Sequence, residues 1–336
     1  MGRRSSSLPL LVCSALLASA DPVHAQARLS GMVFADAQDA LRGYSAPADT
    51  QRFQFRRVQL TLDQDLDSVF AVRLQLEADN SELTSNGKAA TFLKQVWLRW
   101  SHLGAAGDLV MGLSTTPTWA LPESYWGYRS LEKTVLDLQG LGFASDLGVA
   151  LLRAPTPARP LGWHLMLAND NGQKPERDAS KKLSLSVPYR FGDCVLEGLG
   201  EYEAVPGPRD KWTAKLFGGW QKGADAAGVE VFRHARKSAG TLGADVVPMG
   251  ASAFGHVKLA EHWRAVVRAD WFDPDRELKN AGFREMFWLA AVDATPRSNV
   301  HLMPNIEMRS YSDKSPLHAR RRADVTLRVT LFYTYK

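Results

Sequence analysis

The sequence predicts an all-β chain: a transmembrane antiparallel β-barrel of about 16 strands with short periplasmic turns and long extracellular loops. Three observations carry this. Apolar residues recur at every second position along most of the chain, which places them on one face of successive strands. Beyond residue 26 no apolar run approaches the ~18 residues of a membrane-spanning helix. The intervals between alternating segments are short and long by turns. A chain that crosses lipid without helices must close its sheet, because an unpaired backbone group finds no water there.

Read in order, residues 1–25 form a removable secretory signal: Arg3 and Arg4, an apolar run over 8–20, then small residues suited to cleavage after Ala20 or Ala25. Its roughly 13 apolar residues fall short of the ~20 that span a bilayer. Cys13 lies in that segment, which leaves Cys194 without a partner for a disulfide. Residues 26–336 then make one barrel. Alternation is plain over 58–62, 70–77, 96–100, 183–187, 265–271, 300–308 and, most cleanly, 325–335. Short connections fall near 63–67, 103–107, 154–160, 191–193, 222–226, 260–262 and 294–298. Long ones fall near 38–51, 79–91, 115–143, 169–181, 203–211, 234–249, 273–283 and 310–322. A soluble β-sandwich shares the alternating strands but has no reason to alternate its connections. Trp100, Trp163, Trp212, Trp220, Trp263, Trp271, Tyr333 and Tyr335 fall near strand ends, where an aromatic girdle meets lipid headgroups.

With the apolar set facing lipid, the alternate set lines a lumen, and it includes Arg57, Arg73, Arg99, Arg264, Arg268, Arg309 and Arg328. A guanidinium is always charged and grips oxyanions through a planar fork, so these arginines are candidate anion contacts. Glu77, Asp270 and Glu307 share the same face, so mutual neutralisation is the competing reading. The longest connection, 115–143, carries Tyr125, Trp126, Tyr128, Arg129 and Lys133. So many rings would expose a large apolar area in water, which argues that the loop folds back into the barrel and narrows it. Leu131, Val135 and Leu138 fall on one face of a short helix expected over 130–139.

Several segments resemble the phosphate-selective porin O and P family of Gram-negative outer membranes. They are Phe55-Arg56-Arg57-Val58-Gln59-Leu60, Ser145-Asp146-Leu147-Gly148-Val149-Ala150-Leu151, Val267-Arg268-Ala269-Asp270-Trp271-Phe272-Asp273, Asn299-Val300-His301-Leu302-Met303-Pro304-Asn305 and the final 326–333. The resemblance implies a homotrimeric outer-membrane porin with a basic ladder in its pore, Arg57 included, and a constriction loop after the fifth strand. Small anions such as phosphate would be its solutes, and outer-membrane lipid and lipopolysaccharide its surroundings. The run Arg320-Arg321-Arg322 in the last long loop could meet lipopolysaccharide phosphates or draw anions to the mouth. Lys336 departs from the terminal aromatic residue usual in such porins.

Other chemistries find no motif. The sequence has no Gly-x-Ser-x-Gly elbow, no His-Glu-x-x-His, no Cys-x-x-Cys and no phosphate-binding loop, so neither an enzyme nor a metal or cofactor is expected. Without residues 1–25 the chain carries 39 basic and 35 acidic residues, spread rather than clustered, which speaks against nucleic acid. The expectation is passive diffusion of small anions through a basic pore. A non-conducting barrel plugged by its long third loop is the alternative.

Overall fold

The computed structural model describes residues 26–44, 50–176, 178–315 and 321–336. The expected signal segment, His318 and Arg320 lie outside the described residues. Sixteen strands follow one another: β1 (Arg28–Arg42), β2 (Thr50–Asp65), β3 (Phe70–Leu83), β4 (Ala89–Trp100), β5 (Asp108–Thr115), β6 (Ser145–Arg153), β7 (Trp163–Ala168) and β8 (Lys181–Phe191). The second half comprises β9 (Cys194–Ala204), β10 (Lys211–Lys222), β11 (Asp225–Arg236), β12 (Met249–Ala260), β13 (Trp263–Asp273), β14 (Phe283–Arg297), β15 (Val300–Asp313) and β16 (Asp324–Tyr335). Each pairs antiparallel with its sequence neighbours, and β1 closes the barrel on β16 with Gly31 opposite Tyr335. Gly31 has no side chain because the Tyr335 ring occupies that space.

Burial is inverted relative to a water-soluble protein. Along β2, Leu60 and Leu62 are exposed whereas Gln59 and Thr61 are buried; along β8, Leu183 and Leu185 are exposed whereas Ser184 and Ser186 are buried. In water this arrangement would be costly twice over, since polar groups lose hydration and apolar ones keep it. Lipid outside and a polar lumen inside remove both costs. Among the described residues no helix is long and apolar enough to cross a membrane.

The two rims differ, though less regularly than the sequence suggested. Two-residue turns at 192–193, 223–224, 261–262 and 298–299 face longer loops at 237–248, 274–282 and 314–323. In the first half the short-turn rim carries connections at 101–107 and 154–162 that are longer than the opposite loop at 84–88. Strands also run beyond the expected ends: β1 reaches Arg42, which shortens the first loop to 43–49. Trp100, Tyr189, Phe191, Trp220, Trp263 and Tyr335 are exposed at strand ends on the short-turn rim, where amphipathic rings favour the membrane interface.

The third loop, 116–144, fills one side of the barrel. It holds α1 (Pro117–Trp126) and the one-turn α2 (Val135–Leu138). Pro117 suits the first helical position, where its missing N–H costs nothing, and Gly127 ends the helix with φ 66°, its N–H donating to the Glu123 carbonyl. The expected helix over 130–139 shrinks to α2, because the carbonyls of Ser130, Leu131 and Lys133 are taken by lumen arginines instead. Trp126, Leu131 and Leu136 have no exposed surface. Trp126 and Leu131 pack with Tyr125 and Tyr128 against Phe217, Phe254, Val266, Phe287, Leu289 and Met303. Those inward apolar residues of β10 and β12–β15 are a cradle for the loop's rings.

Candidate functional site

What remains open lies between the folded-in loop and the wall formed by β16 and β1–β5. Two bulges shape that wall. Arg57 pairs with Phe34 but the next pair is Phe55 with Ala35, so Arg56 is an extra residue in β2. Gln75 pairs with Gln95 and Leu76 with Leu93, which makes Lys94 an extra residue in β4. A bulge lets consecutive residues share a face. Arg56-Arg57 and Lys94-Gln95 therefore both enter the lumen while Phe55 and Leu93 face out.

Among the described residues, two cavities that share Arg57 and Arg129 lie in the open lumen. The outer one, about 430 Å³, lies toward the long loops and is bordered by Gln38, Arg52, Gln54 and Thr326. The inner one, about 410 Å³, lies toward the short turns, against Met32, Gln59, Gln75 and Gln95. Arg57 on the wall and Arg129 on the loop are the pinch between them. Cations dominate the lining: Arg52, Arg56, Arg57, Arg129, Lys133 and Arg328 against Asp79, Glu132 and Glu307 outside, and Arg57, Lys94 and Arg129 against Glu123 inside. Other carboxylates sit behind this layer. Asp36 pairs with Arg56 and stands 3.7 Å from Arg328, and Glu77 lies 3.3 Å from Arg57 and 3.5 Å from Lys94; neither carboxylate side chain is exposed. Burial alone would lower the ionisation of Arg129, but Glu123 and Asp137 outweigh it and hold the guanidinium charged.

The seven strand arginines of the sequence reading all point inward but separate into groups. Arg57 and Arg328 line the cavities. Arg73, nearer the short turns, forks onto Asp63 at 2.7 and 2.9 Å and lies 5.3 Å from the Trp97 ring; Arg99 flanks the same ring at 5.9 Å. Arg309 reaches Glu285 at 3.2 Å. Arg264 and Arg268 are covered by the loop: Arg264 approaches the Tyr128 hydroxyl, and Arg268 forks onto Asp270 while donating to the Lys133 carbonyl. Arg56 donates to the carbonyls of Ser130 and Leu131, and Arg328 to Leu131 at 3.4 Å. Three strand arginines thus grip three carbonyls of the loop backbone, those of Ser130, Leu131 and Lys133. In the loop, Tyr125, Trp126 and Tyr128 face the wall rather than the open lumen, and the Tyr128 hydroxyl donates to Asp293 at 2.9 Å. Arg129 and Lys133 border the cavities.

Sequence reasoning missed Arg56 and Lys94, because strict alternation turns both toward lipid. The signal was a charged doublet, Arg56-Arg57, and a charged-polar one, Lys94-Gln95, where one member of each would have to face hydrocarbon. Among the described residues no group of three or more His, Cys, Asp or Glu side chains is placed to hold a metal ion.

Sixteen antiparallel strands around a lumen narrowed by an inward third loop define a porin-type barrel. No family model matches the chain, and no curated protein matches it in sequence. Solved structures do match. The anion-selective porin from Comamonas acidovorans aligns with a TM-score of 0.66 at 13% identity, over 93% of this chain and 100% of that one. The outer membrane channel DcaP of Acinetobacter baumannii gives 0.68 at 10%, over 93% and 97%. In-vitro folded OmpT, an outer membrane protein of Vibrio cholerae in its trimer form, gives 0.63 at 11%, over 92% and 99%. At these identities the likeness is one of fold.

Proposed function

We propose that this chain is a passive diffusion channel of the Gram-negative outer membrane that passes small anions, phosphate among them, through the slit between the β1–β5 wall and the third loop. The observation that carries the reading is the lining of that slit: with Arg57 and Arg129 of the pinch counted once, seven cations stand against four carboxylates. Fixed guanidinium groups lower the energy of a passing oxyanion, and several weak sites in series let it leave again. The fold likeness to an anion-selective porin and to outer membrane channels is in keeping with this, as is the segment resemblance to the phosphate-selective porins. A homotrimer surrounded by outer-membrane lipid and lipopolysaccharide completes the proposal, supported by the trimer form of one structural neighbour. The exported location requires removal of residues 1–25.

Single-channel recording in planar bilayers tests this. Chloride current that falls as phosphate is added supports the reading; steady current indifferent to phosphate removes phosphate from it. Absence of current returns the barrel to a plugged, structural role.

A further inference from the structure

The inner cavity has two unlike sides. On the wall side, the bulge in β4 brings Lys94 beside Arg57, and the two cations share one carboxylate, Glu77, at 3.5 and 3.3 Å. Glu77 also accepts from the Gln59 amide, so its charge is divided among three donors. On the loop side, Trp119, Ala120 and Ala144 form an apolar border beside Ser124 and the ion-paired Glu123 and Arg129. Trp119 is 2% exposed, and its indole N–H finds no acceptor among the described residues. Ser145, also on this border and wholly buried, has a hydroxyl equally without a partner. Both of these polar atoms are sealed from the cavity, so neither is offered to a solute.

We propose that the inner cavity is a resting site for an organic anion, with its oxyanion group between Arg57 and Lys94 and its apolar body against Trp119, Ala120 and Ala144. The inference rests on the channel reading for how the solute arrives, and it narrows that reading from small anions in general to those carrying a hydrocarbon body. A bare inorganic oxyanion uses only the cationic side. An anion with a ring or short aliphatic chain also removes apolar surface from water, which bare phosphate cannot do.

The test uses the full barrel folded in detergent, titrated calorimetrically with benzoate, acetate and inorganic phosphate, while the same preparation is recorded in bilayers. Benzoate is expected to bind at least about ten-fold more tightly than acetate, as a modest share of ring burial supplies roughly 1.4 kcal/mol. Lys94→Met should weaken both carboxylates. Trp119→Leu should erase the preference for benzoate, and the wild-type ratio is informative even if that variant folds poorly. Equal affinity for benzoate and acetate, with chloride current present, overturns the site and leaves the channel standing. Selective benzoate binding without current keeps the site and overturns the channel.

Discussion

Replacing Arg268 with methionine separates the arginines that hold the loop from those that face the open lumen. Arg268 is 3% exposed; it donates to Asp270 at 2.9 and 2.6 Å and to the Lys133 carbonyl, with the Trp126 and Phe287 rings 5.4 and 5.5 Å from its guanidinium. Methionine keeps much of the volume but leaves Asp270, itself 2% exposed, without its partner. Stranding a buried carboxylate costs about 3–5 kcal/mol. The double variant Arg268→Met/Asp270→Leu removes the stranded charge and should recover most of that. The deficit left is the lost bond to the Lys133 carbonyl, about 1–3 kcal/mol. Urea unfolding of barrels inserted in vesicles, followed by tryptophan fluorescence, measures all three proteins. Conductance of the double variant should rise, since the 130–133 segment has lost one of its three arginine anchors. A single variant as stable as wild type, or a double variant no better than the single, would refute the clamp.

Three further expectations follow from the same geometry. Arg57→Gln and Arg129→Gln should each lower the anion-to-cation permeability ratio by up to about six- to thirty-fold at low salt, because the roughly 0.5–1 kcal/mol of one charge at 4–8 Å in water acts on anion and cation with opposite signs; reversal potentials report it. Gly112 has φ 124°, and a Cβ there would stand 2.3 Å from the Val96 carbonyl oxygen, so Gly112→Ala should strain the β4–β5 pairing by about 1–3 kcal/mol and lower the urea midpoint. Burial, and then the neighbouring Asp293 carboxylate, push the Tyr128 hydroxyl above the usual phenol range. A folded-state value raised above the unfolded one gives stability that is complete below the unfolded pKa and lost as pH rises past it. The Tyr128 contribution should therefore hold through neutral pH and decline only above about pH 10, and Tyr128→Phe should flatten that alkaline decline in pH-dependent unfolding.

Much of the barrel was legible because lipid and lumen impose a period of two on every strand, and Leu60 against Gln59 or Leu183 against Ser184 record it directly. The inward direction of Arg73, Arg99 and Arg328 followed from the same rule. What alternation could not show was where it breaks. The bulges at Arg56 and Lys94 depend on how β2 meets β1 and how β4 meets β3, and no single strand contains that register. Partners were equally hidden: Arg328 finds Glu307 and Asp36 across neighbouring strands, and Arg268 finds the Lys133 carbonyl 135 residues away. The loop's rings were read as unable to stay in water; their burial against Phe217, Phe254 and Phe287 keeps them out of the open lumen and leaves Arg129 as the loop's contribution to the pinch.

The reversal potential of the reconstituted protein under a potassium chloride gradient tests the central claim most directly, because it weighs every lining charge at once. A lumen lined as this one is should give a potential of the sign set by chloride permeation, shrinking as ionic strength screens the arginines. A potential of the opposite sign, or one indistinguishable from zero at low salt, would contradict the assignment of the slit as an anion path.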